Sequence, residues 1–594
     1  MGADHPGRPD GRLVGAVFFA AVVCLVYQAI WARSGAPLFA DTDDAMRMVM
    51  VRDFLAGQGW YDLVQHRLNT PWGAEIHWSR LVDLPIAALV ALFRPVWGQA
   101  GAEVGAAYVW PMVLLGLLLW VSARLAFRLV GREGVLPAVL LPVLSPAITA
   151  EFTPGRVDHH NVVILITLAV LWTAVEGLRR PRYAFASGLL CATALAIATE
   201  ALPAIVAAVV VFGCLWMASP DGATSTRRFG LAFGGGAVLH LALFRLPERW
   251  LEPACDVLSP IYVLLALVVS AAFTTVTLLP RAAALWSRAL LLGAMGLGGL
   301  ALVLALYPQC LAGPYGDLDP WLRRNWLTGI AEAKPWLISV ADLPAYTLAV
   351  GMPVLLATLV IAYRLWRVPE DRGSWAAVLV FLICLEIVML AQVRGARLAI
   401  MPAMPAAAWL IASARARYIG SPRPLAAAAL LGSWLAFAGI VISLAVSNLI
   451  GVLPGRAQLV AQVRANKAPC LLLAAFDDLN KPAPARIMGP IDLGSHLRLY
   501  TGHAVVAAPY HRNEAGVLDA FRFFNQPIAE ARAILVDRGI ELVVTCPAMP
   551  EMRGLPTHAS DSFVALADKG QLPPWLSPVA VAGPLHIYAV ESGP

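Results

Sequence analysis

Long apolar runs that alternate with short arginine-bearing loops dominate this sequence. The runs at residues 106–123, 257–279 and 425–447 are long enough to cross about 30 Å of hydrocarbon as helices. Composition agrees, because 59% of the residues are hydrophobic and only 14% are charged, whereas soluble domains carry about a quarter charged residues. The sequence therefore predicts a polytopic α-helical membrane protein.

Hydropathy read against the basic loops predicts about thirteen spans. We place them near residues 13–33, 105–128, 134–150, 160–177, 183–199, 202–217, 229–247, 257–279, 286–308, 343–364, 374–391, 396–413 and 425–449. The first apolar run is not followed by a small-residue cleavage site. We therefore interpret it as a retained helix and not as a signal peptide.

The basic residues predict the orientation of the spans. They fall in every second loop, as expected of cytoplasmic loops: Arg8 and Arg12; Arg124, Arg128 and Arg132; Arg179, Arg180 and Arg182; Arg227 and Arg228; Arg281 and Arg288; Arg364, Arg367 and Arg372; Arg415, Arg417 and Arg423. We expect an inner-membrane protein with a cytoplasmic N-terminus and a periplasmic C-terminus. The net charge is +6, but the basic residues cluster in short loops between apolar runs, so no nucleic-acid partner is expected.

The polar segments define the domains. Residues 1–454 form the predicted transmembrane domain, with long outer loops at 34–104 and 309–342. Within the first loop, residues 84–97 are largely apolar. Counting them as a span would invert every later loop, so we interpret them as a helix in the interface.

Residues 455–594 are more polar and predict a periplasmic α/β domain. A helix is expected at 528–538, with strands at 471–476, 504–508 and 541–545. Eight cysteines show no metal-binding spacing. Cys255 with Cys310, and Cys470 with Cys546, could each form a disulfide, and the sequence leaves both pairs open.

Acidic residues cluster directly after the first span, at Asp41, Asp43 and Asp44. Carboxylates this close raise one another's pKa unless a cation neutralises them, so a divalent metal is a natural partner. The alternative is structural, with Asp41 or Asp43 capping a helix.

A second cluster, Asp158, His159 and His160, lies at the outer end of the fourth span. Carboxylate and imidazole ligands suit Mg²⁺ or Mn²⁺, although a polar interfacial cap would have the same composition. Glu332 lies in the second long loop, where a lone glutamate is usually only solvated. Arg394 and Arg397 could hold a phosphate or extend to the interface.

These motifs, in this order, resemble the catalytic subunit of oligosaccharyltransferases, within the GT-C glycosyltransferase superfamily. The resemblance covers residues 13–450 and is carried by Asp41 with Arg47, by the turn Asn69-Thr70-Pro71-Trp72-Gly73, by Pro146 with Asp158, His159 and His160, by Ile330-Ala331-Glu332, and by Arg397 with Pro402 and Pro405. Leu398 departs from the aromatic residue of the family.

The resemblance implies a glycosyltransferase that moves a sugar or oligosaccharide from a polyprenyl phosphate or pyrophosphate. It implies Mg²⁺ or Mn²⁺ between Asp41, Asp158, His160 and Glu332, and phosphate binding by Arg397 with Arg394. Base or acceptor-orienting candidates are Asp43, Asp44, His77 and His159.

The acceptor is left open by the sequence. The family's Trp-Trp-Asp acceptor motif is missing from 455–594, where Trp575 is the only tryptophan. The acceptor is therefore expected to be a glycan, a lipid or a differently recognised protein. The competing function is a transporter or flippase of a lipid-linked glycan, although no inverted repeat is visible.

Overall fold

Helices form almost all of the first three quarters of the chain. The computed structural model describes residues 9–32, 37–278, 284–452 and 467–591. The predicted cytoplasmic Arg8 and Arg281, and residues 455–466 at the start of the predicted C-terminal domain, lie outside these ranges. The helices are Gly11–Ala32, Thr42–Leu55, Arg80–Val130, Val135–Val143, Pro146–Glu151, His160–Gly177, Pro181–Ile197, Leu202–Ala218, Ala223–Phe244, Pro260–Leu278, Leu285–Leu306, Pro320–Asn325, Trp336–Asp342, Pro344–Arg367, Arg372–Ala391, Ala396–Gly420, Pro424–Leu435 and Gly439–Val452.

Nine helices in the described ranges are long and apolar enough to cross a membrane. A tenth candidate is the pair Pro424–Leu435 and Gly439–Gly451, which bends by 92°. The segment predicted as one span at 134–150 is instead two short helices that meet at Ser145. Pro146 starts the second of these helices and, lacking an N–H, cannot continue the first. The multi-pass membrane fold is confirmed, and the count of about thirteen spans stays a prediction.

The first long outer loop is mostly ordered secondary structure. It contains the helix Thr42–Leu55, a two-stranded hairpin of β1 (Val64–Gln65) and β2 (Ala74–Glu75), and the start of Arg80–Val130. That long helix breaks at Gly98, whose φ of 66° favours glycine. Residues 84–97 are therefore helical, as expected, and the helix restarts after Gly98 as the next span.

The last part of the chain forms a five-stranded mixed sheet. Its order is β4-β3-β5-β7-β6, with β3, β4 and β5 parallel and β6 and β7 antiparallel. The strands are β3 (Arg486–Met488), β4 (Ala504–Val505), β5 (Leu542–Thr545), β6 (Leu576–Ala580) and β7 (His586–Val590), and the helices are Ala468–Leu471, Gly494–Tyr500, Glu514–Asn525, Ile528–Arg538 and Phe563–Asp568. The strand predicted at 471–476 is wrong, because Leu473–Phe476 is a 3₁₀ helix.

The C-terminal sheet packs against the first outer loop. The Val505 N–H donates to Arg67 O over 2.8 Å and the Thr70 N–H donates to Val505 O over 3.1 Å, so the loop covers the edge strand β4. Arg52 extends the contact by donating to Leu499 O over 2.7 Å. This packing brings residues after the carboxyl ends of the parallel strands close to the acidic cluster at 41–44.

Both disulfides that the sequence left open are present. Cys255–Cys310 joins the loop between the helices Ala223–Phe244 and Pro260–Leu278 to the start of the second long loop, and Cys470–Cys546 lies within the C-terminal part of the chain. The loop that carries Asp256 is therefore covalently attached to the segment that leads to Glu332.

Candidate active site

The acidic cluster begins at the N-terminus of the helix Thr42–Leu55. Asp41 caps this helix, its Oδ1 accepting the Asp43 N–H over 3.1 Å, as the structural alternative predicts. Its second oxygen lies 2.9 Å from Arg156. Asp41 therefore caps a helix and, through Arg156, also contacts the second cluster.

Asp44 holds the second cluster in place. Its Oδ1 accepts the N–H groups of Val157 and Asp158 over 2.7 and 2.9 Å, and its Oδ2 accepts from Arg156 over 2.7 Å. The residue is 1% exposed, and burial raises its pKa to about 7. Since both oxygens are engaged, Asp44 has the geometry of a positioning residue rather than of a base.

Asp158, His159 and His160 lie together at the start of the helix His160–Gly177, all three buried. Asp158 Oδ1 is 2.5 Å from His159 Nδ1, and its Oδ2 is 3.2 Å from His160 Nε2 without hydrogen-bond geometry. Arg47, which hydrogen-bonds Asp83, is 3.8 Å from Asp158 and lies over the Trp78 ring.

Arg397 connects the second cluster to the second long loop. Its Nη1 donates to Glu151 over 2.9 Å and its Nη2 pairs with Glu332. Glu151 also accepts from Arg156 over 2.7 Å. Arg394 is held by fewer charged partners: its Nε donates to Gln392 over 2.8 Å, its Nη1 is 3.8 Å from Glu200, and it borders the cavity described next.

A polar cavity of about 320 Å³ lies between these groups. Its wall contains Asp43, His77, Trp78, His159, His160, Glu200, Tyr315, Leu327, Thr328, Ile330, Glu332, Ala333, Gln392, Arg394, Pro509, Tyr510 and His511. Burial, together with the charges of Asp158 and Asp41, raises the pKa of Asp43 well above its usual range. Asp43 is thus the carboxyl of the first cluster that lines the cavity.

An apolar cavity of about 620 Å³ adjoins the polar one, and both are lined by Glu200, Arg394 and His511. Its apolar wall comes from the ends of several helices, including Leu195, Ile197, Leu202, Ile387 and Leu398. A charged cavity and an apolar cavity therefore share one boundary.

The residues present fit a divalent cation. Asp158 Oδ2 is inaccessible to solvent and lacks a hydrogen-bond partner in the described part of the chain, with His160 Nε2 3.2 Å away, while His160 Nδ1 is 3.3 Å from Glu200. Unpaired buried polar atoms are costly, and carboxylate oxygen with imidazole nitrogen is a usual ligand set for Mg²⁺, Mn²⁺ or Zn²⁺. Crowded carboxylates at Asp41 and Asp43 would add to the attraction for a cation.

The structure brings most of the sequence candidates to one place. Asp43, His159, His160, Glu332 and Arg394 line the polar cavity, and Asp41, Asp158 and Arg397 bind residues of its wall. His77 also lines this cavity, with its ring 4.6 Å from that of His511.

Sequence reasoning missed two acidic residues at this site, Glu151 and Glu200. Both occur at the ends of apolar helices, and Glu200 is 3.3 Å from His160. The rule that makes ionisable residues near membrane depth candidates would have selected both.

No protein-family model and no curated protein matches this chain. Solved structures, in contrast, match it. The archaeal oligosaccharyltransferase AglB from Archaeoglobus fulgidus, in complex with an inhibitory peptide and a dolichol-phosphate, matches with a TM-score of 0.66 at 13% identity, over 98% of this chain and 74% of that chain. An oligosaccharyltransferase from the same organism, in complex with Zn and sulfate, matches with a TM-score of 0.60 at 13% identity, over 97% of this chain and 73% of that chain.

A weaker likeness, with a TM-score of 0.43 at 12% identity over 98% of this chain and 99% of the other, is to ArnT from Cupriavidus metallidurans bound to undecaprenyl phosphate. At such identities the likeness is one of fold. The match with a TM-score of 0.66 shows that the chain has the fold of the archaeal oligosaccharyltransferase, the fold that the sequence motifs imply.

Proposed function

We propose that this protein is a membrane glycosyltransferase that moves a sugar or oligosaccharide from a polyprenyl phosphate or pyrophosphate to an acceptor at the outer face. One observation carries the proposal: the polar cavity, lined by carboxylates, histidines and arginine, adjoins an apolar cavity between helices. A donor with a charged phosphate and a long apolar chain requires both environments side by side. The GT-C fold supports the same conclusion.

Asp158 and His160, with Asp43, would hold a divalent metal ion. When bound, Mg²⁺ or Mn²⁺ would act as a Lewis acid that offsets charge on the leaving phosphate. This set differs from the sequence-based one, since Asp41 caps its helix and binds Arg156, and Glu332 binds Arg397. Asp41 and Glu332 would complete the negative charge around the ion.

Arg397 and Arg394 would bind the donor phosphate. Arg397 is held between Glu151 and Glu332. Glu332 is 48% exposed on a loop, so an incoming phosphate can replace it on the guanidinium. Arg394 already borders both cavities and offers its charge where the phosphate and the apolar chain would meet.

The acceptor would enter from the side of the C-terminal domain. Tyr510 and His511 follow β4 and line the polar cavity. Without a Trp-Trp-Asp motif in residues 455–594, we propose an acceptor other than a peptide recognised by that motif: a glycan, a lipid or another protein. His77 and His159 are the candidates to orient it, and Asp43 is the candidate base.

We also propose an inner-membrane location, with the N-terminus in the cytoplasm and the cavity on the periplasmic side. The basic loops support this orientation. Cysteine-accessibility labelling of a single cysteine at Ala56, an exposed position of the first long loop, tests it. Labelling from the outside is expected, and labelling only from the cytoplasm would refute both the orientation and the site of transfer.

The activity is tested with purified protein in detergent and a panel of radiolabelled polyprenyl-linked donors. We expect release of polyprenyl phosphate or pyrophosphate that EDTA suppresses and added Mg²⁺ or Mn²⁺ restores. Asp158→Asn and Asp43→Asn should each lower the rate by about 100-fold or more, as expected for groups at the reacting centre.

The matched control is Glu248→Gln, because Glu248 is an exposed carboxylate that does not line the polar cavity. Wild-type rates in Asp158→Asn would refute the metal site. Movement of labelled donor across proteoliposomes, with no sugar released from any donor, would favour a flippase instead.

A further inference from the structure

A second group of metal-binding side chains lies beside the proposed active site. His77 comes from the first outer loop, Asp256 from the loop before the helix Pro260–Leu278, and His511 from the C-terminal domain. One possible ligand atom from each residue lies within 4.8 Å of the other two. Three separate segments thus place two imidazoles and one carboxylate at a single point.

Asp256 and His511 are already in direct contact. His511 Nε2 is 2.8 Å from Asp256 Oδ2, and the rings of His511 and His77 are 4.6 Å apart. Arg512 holds the same carboxylate with bonds of 2.8 and 2.9 Å. Carboxylates that ligate metals are commonly hydrogen-bonded in this way by neighbouring residues, which fixes their orientation.

His77 is the residue left unexplained by the protein's own contacts. Its Nδ1 is inaccessible to solvent and has no hydrogen-bond partner among the described residues. Its neighbours are the rings of His511 and Trp78. A buried imidazole nitrogen without a partner is costly, and a metal ion is one group that would compensate such a ring.

We propose that His77, Asp256 and His511 form a second divalent-metal site, suited to Zn²⁺ and separate from the one at Asp158. Two imidazole nitrogens and one carboxylate oxygen are a usual ligand set for zinc. All three residues line the apolar cavity, so the fourth coordination position faces a space that water or a substrate oxygen can enter. The Cys255–Cys310 disulfide keeps the loop of Asp256 at this position.

The site is tested by metal content and needs no activity assay. Purified protein in detergent is stripped with chelator, loaded with ZnCl₂ and desalted, and bound zinc is measured by mass spectrometry. We expect His77→Gln and His511→Gln each to bind one equivalent less than wild type. The control His66→Gln should bind as wild type does, because His66 is an exposed histidine paired with Asp62.

Asp158→Asn separates this site from the proposed active site. The Asp158→Asn variant should still bind the equivalent of zinc that the His77 and His511 variants lose. The proposal is overturned if both histidine variants bind as much zinc as wild type, or if Asp158→Asn alone removes the equivalent. Each variant must first elute from size exclusion as wild type does. If only one histidine variant meets this condition, its zinc content alone decides the test.

Discussion

The backbone N–H of Asp158 donates to Asp44 Oδ1 over 2.9 Å, joining segments that are 114 residues apart. The same oxygen accepts from Val157, and the second oxygen accepts from Arg156. The position of Asp158 therefore depends on a carboxylate that is not itself exposed to the cavity.

Asp44→Ala should destabilise the protein and displace Asp158. It leaves two buried N–H groups without an acceptor and removes one of the three carboxylates around Arg156, a loss of roughly 2–5 kcal/mol. Asp44→Asn keeps one acceptor oxygen, so its stability should fall between that of wild type and that of Asp44→Ala. Thermal unfolding in detergent measures the effect, with the exposed Asp478→Ala as control. An unchanged unfolding temperature in Asp44→Ala would contradict the positioning role.

Arg397→Lys should weaken donor binding more than it weakens folding. The lysine keeps the charge but loses the forked geometry that grips Glu151 and, in our proposal, phosphate. We expect KM for the donor to rise by about 10-fold to 100-fold, matching roughly 1.4–3 kcal/mol. Arg394→Lys, at a position with fewer charged partners, is the comparison, and equal effects in both variants would argue against a special role for Arg397.

Acid should destabilise the protein through His496. Burial lowers the pKa of this residue from 6.5 to about 4, and its Nε2 lies 2.7 Å from Phe39 O. Above pH 6.5 the ring is neutral in both states, so it has no effect on the pH dependence. As the pH falls from 6.5 to 4, the unfolded state gains the proton first, and stability drops by about 3 kcal/mol.

Unfolding of wild type and His496→Gln at pH 7.5 and pH 5 measures this contribution. The variant should lose less stability between the two pH values than wild type does. His66→Gln, at an exposed position, should show the wild-type difference. An identical pH dependence in all three proteins would show that His496 does not titrate in this range.

Cys470→Ser should lower the stability of the C-terminal domain by about 2–4 kcal/mol, because the disulfide to Cys546 restricts the unfolded chain. Thermal unfolding with and without reductant measures the loss. Cys384→Ser is the control, since Cys384 forms no disulfide. Reductant should destabilise wild type more than Cys470→Ser, which retains only Cys255–Cys310. Equal sensitivity would show that the Cys470–Cys546 bond contributes nothing.

Arg538→Ala should loosen the C-terminal domain from the first outer loop. Arg538 donates to Thr70 O over 2.8 Å and to Asn69 over 3.1 Å, lies over the Trp72 ring, and pairs with Asp519. Removing this side chain leaves Thr70 O and Asn69 without their donor, although Asp519 keeps its pair with Arg522, and should cost roughly 1–3 kcal/mol. Limited proteolysis should release the domain faster than in the exposed Arg522→Ala, and equal rates would refute this account.

Periodicity and charge predicted the elements that a short sequence window determines. The helix at 528–538 is correct to the residue, because it ends at Gly539, whose φ of 60° suits glycine. The strand at 471–476 failed because an apolar run alone does not distinguish a strand from a buried turn of helix. Short strands such as β3, with three residues, give too little pattern to detect.

The site residues also differ in how far the sequence alone could reveal them. Asp158, His159 and His160 were recognisable because they are consecutive. Asp256 and His511 are single residues far apart in sequence, and only folding brings them to His77. Asp44 was a candidate base until the structure showed both of its oxygens in use.

Tyr510 donates from its hydroxyl to the backbone oxygen of Thr42 over 3.0 Å, beside the carboxyl of Asp43. Two walls of the cavity are therefore made by residues 468 positions apart in the chain. During synthesis the helix Thr42–Leu55 emerges long before Tyr510, so the cavity cannot close until translation has passed residue 510.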